Sequence, residues 1–136
     1  MVQIYLLSVI AGVAGGCLLL SEQLKEKVPP LTVFREWYRK NQAYQPFIFC
    51  LFCIIGLLSL VFPFNGVVIL GDFIPGLANL FIGVALFFEY YKDKGKVVSE
   101  SLGKAISFFD QYQGALGAVS LIAGAAHFIF PGILFI

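Results

Sequence analysis

The chain has 136 residues, of which 60% are hydrophobic, 16% aromatic and only 12% charged. A soluble domain carries about 25% charged residues, and a domain of this size has too little interior to hide so much apolar surface. The composition therefore excludes a soluble enzyme, a nucleic-acid-binding protein and a disordered chain. It predicts a small, all-α integral membrane protein that forms a single membrane domain over residues 1–136.

Four apolar stretches follow one another along the chain, at about 2–20, 46–62, 73–90 and 114–130. Each is close to the length of about 20 residues that a helix needs to cross the hydrocarbon core. Backbone polar groups in lipid must be satisfied within their own segment, so we expect four transmembrane helices.

The basic residues predict the orientation of these spans. All nine lie in the two long loops, residues 21–45 and 91–113: Lys25, Lys27, Arg35, Arg39, Lys40, Lys92, Lys94, Lys96 and Lys104. The positive-inside rule places both loops in the cytoplasm and both termini on the extracytoplasmic side.

The second half of the chain resembles the first when it is shifted by 67 residues, or by 68 after one extra loop residue. Gly16 then matches Gly83 and Glu22 matches Glu89, while Gly56 matches Gly124. We interpret residues 1–70 and 71–136 as tandem duplicated hairpins. Because each unit has two spans, the copies enter the membrane in the same direction, related by a pseudo-twofold axis along the membrane normal.

Each cytoplasmic loop has a helical apolar stripe. The stripes consist of Leu31, Phe34, Trp37 and Tyr38 in the first unit, and of Leu102, Ala105, Ile106 and Phe109 in the second. Each stripe predicts a short amphipathic helix lying in the membrane interface, the second one capped by Ser99.

Small residues in the spans predict close helix packing, because lipid supplies no hydrophobic force between helices. The glycines expected at these contacts are Gly12, Gly16, Gly56, Gly83 and Gly124. Such packing leaves little room for a wide central pore.

Polar residues inside the spans are the first candidates for function. Asp72, Asn79 and His127 could converge on an outward-facing pocket, but helix capping and interhelical hydrogen bonds are the favoured explanation of these residues. Cys50 and Cys53 form a CxxC pair near the cytoplasmic end of the second span. Membrane thiol oxidoreductase chemistry is the least favoured interpretation, because buried cysteines commonly serve as small apolar residues.

The repeat also duplicates a set of interfacial residues: Glu22, Lys25, Tyr44 and Gln45 in the first unit, and Glu89, Lys92, Tyr112 and Gln113 in the second. Each acid precedes a lysine by three positions, on one face of a helix. We expect these acids to serve structure and to bond to the Tyr-Gln pairs.

These patterns predict a non-catalytic accessory or scaffold subunit of a larger membrane assembly, or a homo-oligomer. Its expected partners are membrane lipids and other membrane subunits or itself, with no nucleic acid, cofactor or metal. The alternative is a small transporter, or a lipid-binding or small-molecule-binding protein, with a cavity between the repeats.

Overall fold

The computed structural model describes residues 2–62, 73–95 and 99–130, and these residues form five α-helices without any strand. The helices are α1 (Val2–Leu24), α2 (Pro29–Lys40), α3 (Gln45–Val61), α4 (Phe73–Asp93) and α5 (Glu100–Ile129). The predicted all-helical fold is confirmed. Asp72 lies outside the described residues.

Three of these helices, α1, α4 and α5, are long and apolar enough to cross a membrane. Helix α3 has 17 residues, which correspond to about 25 Å at 1.5 Å per residue. It reaches the required length only together with α2, and the two helices are bent by 111° at their junction. The described chain therefore contains three to four candidate spans.

The two long loops differ more than the repeat predicts. Helix α2 is a separate amphipathic helix, as expected. The prediction of a second short interfacial helix is wrong, because Leu102 to Phe109 form the beginning of the 30-residue helix α5. The cause is local. Pro46 stands in the first turn of α3, where it has no N–H for the backbone hydrogen bond that a continuous helix would need, whereas Gly114 at the matching position lets α5 continue. Ser99 caps α5 as predicted and accepts a hydrogen bond from the Leu102 amide.

The four longest helices pack as two antiparallel pairs, α1 with α5 and α3 with α4, at contacts made by glycine. A Cβ added at Gly16 would lie 2.8 Å from the Gly117 carbonyl oxygen and 2.8 Å from the Leu121 amide nitrogen. Such distances are shorter than real Cβ contacts, so only glycine allows these backbones to approach as they do.

The α3–α4 pair has the same arrangement. A Cβ added at Gly83 would lie 3.0 Å from the Phe49 carbonyl oxygen and 3.0 Å from the Cys53 amide nitrogen. One added at Gly56 would lie 2.7 Å from the Leu80 nitrogen. Both pairs are thus held by direct backbone approach.

The core lies between α1 and α4, where the two helix pairs meet. Leu19, Ile82 and Leu86 are almost completely buried there. A Cβ at Gly15 would come within 2.8 Å of Ile82 side-chain atoms and within 2.7 Å of Phe52. The middle of the bundle is therefore filled by side chains.

Candidate functional site

The most distinctive polar site is a cluster of four charged residues, Glu22, Arg35, Arg39 and Glu89, where α1, α2 and α4 meet. The Arg35 guanidinium donates through Nη2 to Glu89 Oε1 at 2.8 Å and through Nη1 to the Leu18 carbonyl oxygen at 2.9 Å. The side chains of Arg35 and Glu89 are only 4% and 10% exposed. This buried pair joins three helices through one arginine.

Arg39 connects the two acids that the repeat predicts to be equivalent. Its Nε donates to Glu89 Oε1 at 3.1 Å, and its Nη1 lies 2.9 Å from Glu22 Oε1. Arg39 and Glu22 are about half exposed, so this part of the charged cluster reaches solvent. The cluster thus extends from the protein interior to the surface.

Burial and neighbouring charges shift the pKa values of Arg35, Arg39 and Tyr38. Burial lowers the pKa of Arg35, and the Glu89 carboxylate partly offsets this effect. Burial also lowers the pKa of Arg39, but its hydrogen bond and attraction to Glu89 outweigh that effect and leave the pKa above its ordinary value. Burial, aided by the negative charge of Glu89, raises the pKa of Tyr38. Tyr38 therefore stays neutral at physiological pH.

Helix α2 presents Arg35 to the bundle because its two faces differ. Arg35 and Tyr38 are buried, whereas Val33, Phe34 and Trp37 are exposed. The Phe34 and Trp37 rings stack at 6.3 Å between centroids. A face of this kind suits the membrane interface, where aromatic side chains lie at the level of the headgroups.

The other repeat-matched residues lie apart from the two acids. Gln45 is buried and donates to the backbone carbonyls of Tyr38 and Arg39 at 3.0 and 3.3 Å. Lys92 pairs with Asp110 at 2.5 Å. In the described part of the chain, Glu22 and Glu89 take arginines as ion-pair partners, and no ion pair links them to Lys25 or Lys92.

The aromatic members of the two Tyr-Gln pairs are half exposed and contact neighbouring rings. Tyr44 stacks with Trp37 at 6.4 Å between centroids, and Tyr112 lies 4.8 Å from Phe108. Gln113 is partly buried near the beginning of the apolar part of α5. Tyr44 and Tyr112 thus add to the exposed aromatic side chains of the protein.

The polar residues inside the spans form two separate contacts. Asn79 is completely buried on α4, and its Nδ2 donates to the Ser8 carbonyl oxygen and to Ser8 Oγ, each at 3.0 Å. His127 is buried near the other end of α5, where its ring lies 4.7 Å from that of Tyr5. The Tyr5 hydroxyl donates to the His127 carbonyl oxygen at 2.5 Å. Each contact ties α1 to a neighbouring helix.

Cys17, Cys50 and Cys53 are free thiols. Cys50 and Cys53 border an apolar groove of about 400 Å³ between α3 and α4, which is also lined by Phe49, Ile54, Val84 and Phe87. The Cys53 side chain and amide both pack directly against Gly83, which gives this cysteine a role in helix packing. The groove contains no charged group that could activate a thiol.

The charged cluster was missed from the sequence because the two arginines that pair with Glu89 stand 54 and 50 positions before it. One signal was available: Arg35 and Arg39 are the only arginines in the chain, and they stand four positions apart on α2, flanking Tyr38. Arginine is the residue suited to buried ion pairs, since its planar guanidinium donates in several fixed directions.

Comparison with known proteins places this arrangement in a family. A family model for a domain of unknown function matches residues 1–127. The chain belongs to that family. The match includes all of α1 to α4 and nearly all of α5, so the charged cluster and both glycine-packed helix pairs lie within it. No curated protein and no solved structure gives a significant match.

Proposed function

We propose that this protein is a non-catalytic scaffold or accessory subunit, which binds another membrane protein or further copies of itself through its lipid-facing surface. The observation that carries this proposal is the filled centre of the bundle. Ile82 and Leu86 have no exposed surface, and Gly15 is in direct contact with the Ile82 and Phe52 side chains. A rigid, closed bundle is suited to holding a partner.

The outer surface supports the same proposal. Helix α5 is the least buried of the three long spans. Between positions 115 and 125 its exposed side chains are Ala115, Val119, Ile122 and Ala125, whereas the outward stripe of α3 has the larger Phe47, Leu51 and Ile54. Small and β-branched side chains favour helix–helix contact in lipid, so we expect the partner on α5.

We also propose the finer topology: four spans, α1, α3, α4 and α5, arranged as two duplicated hairpins around a pseudo-twofold axis. Matching contacts support it. Gly16 approaches the Gly117 carbonyl and the Leu121 amide, and Gly83 approaches the Phe49 carbonyl and the Cys53 amide. The second set of positions follows from the first by the shifts of 67 and 68.

Residues that face each other across the proposed axis match in the same way. Gly15 meets Ile82, its counterpart 67 positions later, and Asn79 Oδ1 would lie 3.7 Å from a Cβ at its counterpart Gly12. Near the end of the axis, the counterparts Glu22 and Glu89 share Arg39. Unrelated hairpins have no reason to bring matched positions together.

The charges support an orientation with both long loops in the cytoplasm and both termini outside. Single cysteines at Lys27 and Lys94, on a background in which the three native cysteines are alanine, test it. Both should resist a membrane-impermeant thiol reagent in intact cells and react after permeabilisation. Labelling of both cysteines in intact cells would contradict this orientation and indicate the opposite one.

Photo-cross-linking in the native membrane tests the scaffold function. A photoreactive residue at Val119 on α5 should give a discrete protein adduct. Leu51 on α3 is the matched control, because it is its counterpart by the shift of 68 and is also exposed. Lipid adducts alone at both positions would contradict the proposal and favour the alternative, a small transporter or lipid-binding protein.

A further inference from the structure

A small cleft opens beside the charged cluster, between the end of α1 and one face of α2. Its volume is about 150 Å³, and its wall includes Glu22, Lys25, Thr32, Glu36 and Arg39. A water molecule occupies about 30 Å³ of liquid, so the cleft has room for a small polar group. The wall carries charges of both signs.

Two of these charges have no ion-pair partner among the described residues. Arg39 pairs with Glu22 and Glu89, and Arg35 also pairs with Glu89. No such pair involves Lys25 or Glu36 in the described segments, although both residues line the cleft. The cleft therefore offers one free cation and one free anion to a ligand.

The surroundings of the cleft have the features expected at the depth of lipid headgroups. Helix α2 is bent by 111° from α3, and it exposes Phe34 and Trp37 on the face opposite to Arg35. Amphipathic helices with exposed aromatic residues lie in the membrane interface. The polar ligand that is abundant at this depth is the headgroup of a phospholipid.

We propose that the cleft binds the headgroup of a phospholipid that carries both a phosphate and a primary ammonium group. The phosphate lies at Lys25 and the ammonium lies at Glu36. An ammonium group donates hydrogen bonds to a carboxylate, whereas a trimethylated headgroup has no N–H to donate. An anionic headgroup without an ammonium group satisfies Lys25 but leaves Glu36 unpaired.

Native mass spectrometry of the full chain in neutral detergent tests this site. The protein is titrated with phosphatidylethanolamine, phosphatidylcholine and phosphatidylglycerol of identical acyl chains. Phosphatidylethanolamine should bind about tenfold more tightly than the other two, which is the effect expected of a charge-assisted hydrogen bond. Equal binding of the three lipids, or preference for either of the others, overturns the proposal.

Variants identify the two charges. Glu36→Gln should abolish the preference over phosphatidylcholine, and Lys25→Gln should weaken the binding of phosphatidylethanolamine. Glu26→Gln and Lys27→Gln are the matched controls, because both residues are exposed in the same connection and neither lines the cleft. Retention of the full preference in Glu36→Gln overturns the proposal.

A charge swap separates headgroup recognition from simple attraction. Lys25→Glu combined with Glu36→Lys keeps the net charge but reverses the positions of the two charges. The lipid cannot reverse its phosphate and ammonium groups, because the phosphate is next to the glycerol. Binding should therefore be lost, and unchanged binding contradicts the site. All of these positions are exposed, so circular dichroism should show unaltered helix content.

Discussion

Arg35 and Glu89 form an ion pair of 2.8 Å that is almost completely removed from solvent. The same guanidinium donates to the Leu18 carbonyl oxygen at 2.9 Å, so one side chain joins α1, α2 and α4. A charge in such a place is tolerated only while its partner remains, because an unpaired buried ion loses its hydration without compensation. Helix α2 is thereby fastened to the spans.

Glu89→Gln should strongly destabilise the fold, because it leaves the Arg35 charge buried without its counter-charge. We expect a loss of about 3 kcal/mol in the free energy of unfolding, measured by denaturation in mixed detergent micelles. Glu22→Gln is the matched control, since Glu22 is 46% exposed, and it should cost less than about 1 kcal/mol. Equal losses for the two variants would contradict the assigned burial.

Gly16→Ala should loosen the α1–α5 pair, because its Cβ would lie 2.8 Å from the backbone of α5. Overpacking of this kind costs about 1–3 kcal/mol. Gly103→Ala is the comparison, since nothing lies within 4 Å of the added Cβ, and it should stabilise α5 by up to about 1 kcal/mol. Thermal unfolding of the two variants measures the difference. If Gly16→Ala left the thermal stability unchanged, the result would argue against the close contact between Gly16 and the backbone of α5.

Tyr38→Phe should leave stability at neutral pH unchanged or slightly raised, because the buried Tyr38 hydroxyl has no hydrogen-bond partner among the described residues. Its removal relieves an unsatisfied polar group. At alkaline pH the two proteins should diverge. Burial raises the pKa of Tyr38 in the fold, so the unfolded chain loses this proton first, above about pH 10.

The sign of that pH dependence follows from proton linkage. The folded state holds more protons than the unfolded state above about pH 10, so the free energy of unfolding of the wild type falls as the pH rises. Tyr38→Phe should remove the share of this decline in the free energy of unfolding that comes from the Tyr38 hydroxyl. Unfolding measured at pH 8 and pH 11 checks it, and an identical decline in both proteins would contradict the assignment.

Asn79→Ala should have a modest effect, although Asn79 is the most deeply buried polar side chain of α4. It removes two hydrogen bonds to Ser8. Interhelical hydrogen bonds in membranes contribute about 0.6 kcal/mol on average, and at most about 1.7 kcal/mol. The Val119 cross-link should persist in this variant. A folded Asn79→Ala protein that loses a transport activity in liposomes would favour the transporter alternative.

Sequence reasoning succeeded where the signal is local. Hydropathy and helix length predict the apolar helices, and the helical stripe of Leu31, Phe34, Trp37 and Tyr38 predicts α2. Gly16, Gly56, Gly83 and Gly124 indicated close backbone contacts, which the helix pairs contain.

Long-range pairing could not be predicted in the same way. Nothing in the helical periodicity of α2 indicates that Arg35 turns toward Glu89, 54 positions later. The predicted break before the last span was wrong because the repeat suggested a symmetry that a single residue removes. Pro46 is accommodated only in the first turn of α3, so no helix runs through it, whereas Gly114 is accommodated inside α5.

The scaffold function is the central claim, and native mass spectrometry of the tagged protein, extracted gently from its own membrane, tests it most directly. The account predicts a complex of fixed stoichiometry with another membrane protein or with further copies of the chain. The complex should be lost in Val119→Trp, on α5, and retained in Leu51→Trp, at the counterpart position on α3. A monomer that carries only lipid or a small molecule would contradict the account.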